Sequence, residues 1–347
     1  KKTLSFNQNK YELNLNYFDF YNFDDRNLFS KKFINLFGDP RKKIEKIKQK
    51  HFDIAAAAQK IFEETIFNKL KYIKKKYNNK TICLTGGSFM NSLLNGKVEK
   101  SKIFKKIFIP FSPDDPGNAI GSALWIHSQF SKKKLDYKKI QIPYLGDEYS
   151  KAEILKLLKK NKITFKSPKN LFKYIANEIA NGKVVAWFQG RDEFGQRALG
   201  NRSILADPRN PNMRNYINKI IKNRENFRPF APAILDEYKN SYFEDANKFN
   251  SNYMEKINYF KIKAIKKIPS VVHIDRSGRL QTVKKNFNKK FYSLIREFNN
   301  LTGIPILLNT SLNVDGEPIV KTPNDAIKNF FSSGLDVLVL ENFVIKK

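Results

Sequence analysis

The segment GRDEFGQRALGNRSILADPR (190–209) sets three glycines among four arginines, Arg191, Arg197, Arg202 and Arg209. A guanidinium is a planar fork that takes two phosphate or carboxylate oxygens at once, and glycines let backbone approach a ligand closely. That combination points to an anion site, against the plainer reading of a surface loop with solvated arginines. Downstream, INKIIKNRENFRPFAPA (217–233) adds Lys222, Arg224 and Arg228. Lys222 and Arg228 flank an expected helix end, where they either converge on one anion or are merely solvated. HIDRSGRLQTV (273–283) contributes Arg279, and ILLNTSLNVDGEP (306–318) contributes Asn309, Thr310 and Ser311, each set after an apolar strand. Strand ends are where α/β proteins bind ligands.

Two earlier stretches carry a different chemistry. TGGSFMNS (85–92) follows an expected strand and precedes an expected helix, so Gly86 and Gly87 would let N–H groups meet a phosphate, with the Asn91 amide beside them. A bare tight turn is the alternative. SPDDPGNAIGSA (112–123) offers Asp114 and Asp115 at a turn, then Gly117 and Gly121 on one helix face. Such a carboxylate suits a metal or a nucleotide-bound cation, or else only complements a helix dipole. The histidines are His51, His127 and His273. His273 reads as a structural residue before a base or a ligand. No Ser-His-Asp arrangement, metal-spaced histidine pair or Walker loop is present, so hydrolase and zinc-enzyme readings fall.

Mixed α/β elements in two units would position these groups. Apolar residues recurring at helical spacing predict a helix from Phe52 to Tyr77, leading into a short buried strand TICL (81–84). A strand at 105–111 and a helix over 118–125 repeat the strand, glycine turn, helix pattern. Ser150 and Glu153 form a capping box, and Ser167-Pro168 is expected to open a helix that stops at Asn181-Gly182. Further strands are predicted at 183–190, 203–206, 270–275, 304–308 and 335–345, with helices near 211–223, 287–300 and 323–332. Residues 1–50 read as loop with short helix. The basic, Pro-ended segment 128–144 reads as a linker.

The 347 residues are 41% hydrophobic, enough for two folded domains and too apolar for wholesale disorder. Lys+Arg 65 against Asp+Glu 33 gives a net charge of +32. The excess is mostly Lys spread through nearly every segment, a pattern that codon bias produces, so a nucleic-acid partner is not favoured despite the charge. The single Cys83 excludes an intrachain disulfide and fits a reducing cytoplasm. No run reaches the ~18 apolar residues of a membrane span, and no signal peptide follows Lys1. The chain does not begin with Met, and we expect it to be the later part of a longer protein.

TGGSFMNS, DPGNAIGSA, EFGQRALGNRSILADPR, ENFRPFAPA, HIDRSGRLQTV and LLNTSLNVDGEPIV, in this order, resemble the NodU/CmcH family of O-carbamoyltransferases. The likeness runs from about residue 52 to the C-terminus. It implies part of an actin/Hsp70-like (ASKHA) carbamoyl transferase domain over 1–127, the linker, and a YrdC-like α/β domain over 145–347. It implies formation of carbamoyl adenylate from ATP and carbamoyl phosphate, then transfer of the carbamoyl group to a hydroxyl of a small molecule or glycan. Arg197, Lys222 and Arg228 would be catalytic, with Arg279, Asn309 and Ser311 binding the adenylate. Gly86, Gly87, Asn91 and Gly117 would bind nucleotide, and Asp115 would be a metal ligand, with Mg accompanying ATP and Fe in a complete transferase domain. The family's His-containing metal motif has no counterpart here. Asp192, Gln196, Arg276 and Leu312 stand where the family usually has Met, Pro, Gly and Phe, and Gln196 is expected to loosen the backbone that aims Arg197. The competing functions are an RNA-binding or tRNA-modifying protein related to threonylcarbamoyl transferases, and a noncatalytic nucleotide-binding fragment.

Overall fold

The structure, a computed structural model, describes residues 3–7, 10–21, 27–42, 44–131, 136, 141–246 and 250–347. Most of the expected linker, 132–135 and 137–140, lies outside the described residues. Contacts divide the chain into two compact units, one of residues 1–82 and 98–107, the other of 83–97 and 108–347. The division does not fall in segment 128–144.

In the first unit, strands β1 (Leu4–Asn7) and β2 (Lys10–Leu13) pair antiparallel, an element that the irregular composition of residues 1–50 had not disclosed. Helix α1 (Lys31–Phe37) starts at Ser30, whose Oγ accepts from the Phe33 N–H at 3.3 Å. Helix α2 runs Gln49–Tyr77, as its periodicity predicted. His51 caps its first turn, its Nδ1 accepting from the Lys48 N–H at 2.9 Å. At the far end Asn78 takes φ 49°, and Lys74 Nζ donates to the Asn79 carbonyl at 2.9 Å.

Strand β3 (Thr81–Cys83) alternates instead of being buried throughout, leaving Cys83 exposed. It pairs with β4 (Lys106–Phe108). Helices α3 (Ser92–Ser101) and α4 (Gly117–Phe130) follow the two glycine turns.

The second unit is built on a seven-stranded mixed sheet. Its strands are β5 (Val185–Phe188), β6 (Arg202–Ala206), β7 (Ala231–Leu235), β10 (Gln281–Val283), β11 (Ile306–Ser311), β12 (Val337–Leu340) and β13 (Phe343–Lys346). The order is β10-β7-β11-β6-β5-β12-β13, with β10 parallel to β7 and β5 parallel to β12. A separate hairpin pairs β8 (Ile257–Tyr259) with β9 (Ser277–Arg279). Helices α5 (Lys151–Lys160), α6 (Leu171–Ala180), the single turn α7 (Met213–Tyr216), α8 (Lys289–Thr302) and α9 (Pro323–Ser332) bury apolar side chains in the same core. In α8 the buried face is Phe291, Leu294, Ile295 and Phe298, a spacing of three, one and three residues that makes one helical stripe. The fold is α/β.

Several expectations are corrected. β7 went unrecognised because Pro232, which cannot donate to a ladder, sits inside it; Pro232 stands opposite Leu308 of β11, and pairing with β10 begins one residue later at Ala233. The expected strand at 270–275 is a 3-10 turn, Pro269–Val271, followed by exposed Ile274 and by Arg276 at φ 63°. Proline and a left-handed residue outweigh the β propensity of Val271, Val272 and Ile274. Helix α6 is capped by Asn170, whose Oδ1 accepts from the Lys173 N–H at 3.1 Å, and not by Ser167. The single strand expected at 335–345 is a hairpin that turns at Glu341, φ 51°.

Candidate active site

The arginine-rich loop leaves β5 and re-enters the sheet at β6. Arg202, one of its four arginines, is wholly buried and faces inward. Its guanidinium donates to the carbonyls of Gln189 (2.8 Å), Asn201 (3.1 Å), Gly190 (3.1 Å) and Asp147 (3.2 Å) and lies 3.5 Å above the Phe188 ring centre. Inside the loop, Glu193 Oε1 accepts from the Leu199 (2.6 Å) and Asn201 (2.8 Å) N–H groups. Burial raises the Glu193 carboxyl, and these N–H donors and Arg202 oppose the rise. Gly195 and Gly200 take φ 113° and 107°, and a Cβ at Gly200 would lie 2.2 Å from the Phe291 ring. The loop is thus a braced arch with Arg197 near its tip, where the side chain donates from Nη2 to the Met90 carbonyl at 3.3 Å.

Arg197 belongs to a chain of neighbouring cations. Arg279 ends β9 with its Nε buried and without a hydrogen-bond partner among the described residues. Burial, then Arg197, then Arg224 push its guanidinium down to about 9. Arg224 is lowered by burial and by Arg228; its Nε donates to Asn218 Oδ1 at 2.8 Å, and its guanidinium lies 5.1 Å from the Phe230 ring centre. Lys222, buried and lowered to about 7 mainly by desolvation, donates to Ser311 O (2.5 Å), Asn313 O (2.8 Å) and Asn313 Oδ1 (2.7 Å). Those three acceptors use the full donor set of an ammonium and pin the turn that follows β11. Ser311 Oγ adds a 2.6 Å bond to Asn313 Oδ1.

The structure therefore sets Arg197 against Arg279, and relates Arg279 to Lys222 and Ser311 by way of Arg224, a residue whose place between them the sequence did not single out. Arg228 stands at the edge, half exposed, its Nε donating to Glu225 at 2.9 Å. Asn309 is wholly buried behind the loop, its amide donating to Gln281 Oε1 at 2.8 Å and Ala198 O at 3.3 Å. Asn313 was missed too; its signal was its place two residues after Ser311, at the same strand end. His273 lies beside Arg279 and Arg214, with Nδ1 3.3 Å from Ser277 Oγ and Nε2 buried without a hydrogen-bond partner among the described residues. Burial lowers it to about 4, so it is neutral near pH 7.

The earlier glycine turns are part of the same unit. The Gly86 N–H donates to Pro113 O at 2.5 Å, and Thr85 Oγ1 donates to the same carbonyl at 2.9 Å. Gly86 takes φ 99° and Gly87 opens a 3-10 turn. Asn91 Oδ1 accepts from the Leu94 N–H at 3.0 Å, capping α3. Gly117 is required sterically, since a Cβ there would lie 2.2 Å from Ser112 O. Asp114 is buried and accepts from Ser112 Oγ at 2.9 Å and from Gln196 Nε2, whereas Asp115 is exposed. Gln196 thus ties its loop down, contrary to the loosening expected of it. Asp192 packs against Gly146, where a Cβ would lie 2.1 Å from its Oδ1, and Leu312 is wholly buried.

Among the described residues no group of three His, Cys, Asp or Glu side chains is placed to hold a metal. His51 caps α2, and Asp115 belongs to no such group among the described residues. The residues present do not by themselves fit a metal site at Asp115.

Two models of one family match the chain in order, "Carbamoyltransferase N-terminus" over residues 2–124 and "Carbamoyltransferase C-terminus" over 176–347. The chain belongs to the carbamoyltransferase family. An uncharacterized protein of Synechocystis, sll1178, is 38% identical over 97% of this chain and 59% of its own length. The nodulation protein NolNO of Sinorhizobium fredii is 36% identical over 86% of this chain and 44% of its own. The chain spans about half the length of the curated relatives it matches. A solved structure of full-length HypF in a phosphate- and nucleotide-bound form overlaps 63% of this chain and 35% of that one, at TM-score 0.36 and 14% identity. That overlap is too low to bear on function.

Proposed function

We propose that this chain carries the ATP-dependent, carbamoyl-adenylate-forming part of an O-carbamoyltransferase. The observation that supports this is the set of Arg197, Arg224, Arg279 and Lys222, each lowered by burial, with Arg197 and Arg224 further lowering Arg279 and Arg224 further lowering Lys222. Such an arrangement is costly without an anion and is relieved by a polyanion such as a nucleoside triphosphate. In the proposed reaction water breaks the O–P bond of carbamoyl phosphate, giving carbamate and phosphate. A carbamate oxygen then bonds to the α-phosphorus of ATP, and the bond to pyrophosphate breaks.

The chain's own part in this is electrostatic. Arg197, Arg224 and Arg279 would take the charge that builds on the phosphoryl oxygens and on leaving pyrophosphate. Lys222 would hold the Ser311–Asn313 turn against the nucleotide, and Arg228 would meet the phosphates at the rim. The 85–92 and 112–117 turns would serve the transfer step to a hydroxyl acceptor. Magnesium would come with ATP, and Asp115 would be one ligand of a metal set that the described residues do not complete. The setting would be the cytoplasm, where ATP and carbamoyl phosphate are made.

The test is exchange of labelled pyrophosphate into ATP. We expect exchange only when carbamoyl phosphate is present, and its loss in Arg197→Ala. Exchange independent of carbamoyl phosphate, or none from folded protein, would overturn the reading.

A further inference from the structure

Between Phe194, whose N–H donates to Pro143 O at 2.7 Å, and Leu199, whose N–H is held by Glu193, the loop tip is fastened by side chains. Arg197 reaches the Met90 carbonyl, Asn309 reaches Ala198 O, and Gln196 reaches Asp114. Gly195, immediately before Gln196, sits at φ 113°, with its Cβ position 3.1 Å from Phe111 O and 3.3 Å from Ser112 Cβ. The tip therefore lies directly on the 111–114 turn, and Phe194 meets Phe111 edge-on at 6.5 Å between ring centres.

Asp114 is the fixed end of this contact. It is buried, its other oxygen is taken by Ser112 Oγ, and it is the charge that favours protonated Arg197 against the cost of burial. One carboxylate thus holds the side chain of residue 196 and attracts that of residue 197. Neighbouring residues in an irregular loop point in different directions, so fixing both on one group sets the local backbone between them.

We propose that Gln196 is a positioning residue, its amide anchored on the buried Asp114 carboxylate so that the loop tip keeps the Arg197 guanidinium at the cationic cluster. A change in the turn that opens α4 is then felt at Arg197, which couples the two glycine turns to the anion site. The kinetic side of this inference rests on the adenylation reading; the geometric side does not.

The experiment is a double-mutant cycle on the full chain with Gln196→Leu, Arg197→Ala and both together. Each is read by calorimetric titration with pyrophosphate and by carbamoyl-phosphate-dependent exchange, with urea unfolding as the control on folding. Gln196→Leu is expected to weaken pyrophosphate and lower the exchange kcat about tenfold, with nothing added to the loss in Arg197→Ala. The pair Gln196→Glu with Asp114→Asn restores the bond with donor and acceptor exchanged and should recover most of what Gln196→Glu alone loses. Additive effects of Gln196→Leu and Arg197→Ala, or failure of the exchanged pair to recover, would overturn the proposal. Coupling in pyrophosphate affinity without exchange in the unaltered chain would sink the adenylation reading and leave the positioning role standing.

Discussion

Replacing Arg202 by Met tests whether this arginine braces the site loop and does not bind the ligand. The guanidinium makes four bonds to backbone carbonyls at 2.8–3.2 Å and covers the Phe188 ring. Four charge-assisted bonds at about 1.5 kcal/mol each would total about 6 kcal/mol, and relaxation of the freed carbonyls toward water should leave a cost of about 3–5 kcal/mol. Glu193 loses a favourable neighbour at the same time, which pushes its already raised carboxyl further toward protonation. Arg202→Lys, with three donors and no plane to lay on Phe188, should cost about 2 kcal/mol less than Arg202→Met. Urea unfolding followed by circular dichroism and tryptophan fluorescence measures both. Pyrophosphate affinity should fall through disorder of the loop, so that Arg202→Lys retains most of it. A loss below about 1 kcal/mol in Arg202→Met, or a loss of affinity in Arg202→Lys as large as that in Arg279→Met, would refute the reasoning.

Three further outcomes are expected. His273 titrates near 4 in the fold against its ordinary 6.5, so it binds fewer protons folded than unfolded; its contribution is complete above pH 6.5 and lost as pH falls through 4. The ceiling is about 3 kcal/mol, and His273→Gln should flatten the fall in urea stability between pH 6.5 and 4.5. Gly200→Ala puts a Cβ into the Phe291 ring at a left-handed φ and should lower stability by about 2–4 kcal/mol by the same measurement. Arg279→Met removes a buried cation flanked by cations, so the unliganded protein should gain about 1 kcal/mol while ATP binding, read by calorimetry, is lost.

The regular elements were legible wherever periodicity and caps agreed. The Ser150–Glu153 capping box and the 323–332 helix formed as read, the latter with its own box between Thr322 and Asp325. Pro232 concealed a central strand because a proline argues against one, and here the cost is borne at a single position where pairing with β10 has not yet begun. Composition located the site loop but not the direction of its side chains. Four arginines looked alike in sequence, yet Arg202 turns into the sheet, Arg209 binds Asp207 in a forked pair, and Arg197 alone turns toward Met90 and the cluster. Arg224 and Asn313 were passed over for the same reason: strand ends and helix ends mark where ligands bind, while which neighbour faces inward is settled by packing, here Asn218 and Phe230 against Arg224.

The most direct test is to incubate the full chain with ATP, magnesium and carbon-13 carbamoyl phosphate, separate protein-bound nucleotide rapidly, and weigh it by mass spectrometry. The account predicts AMP carrying one labelled carbamoyl group on the unaltered chain and none on Arg279→Met. Only ATP and AMP on the unaltered chain, or equal amounts of labelled adenylate on the variant, would contradict it.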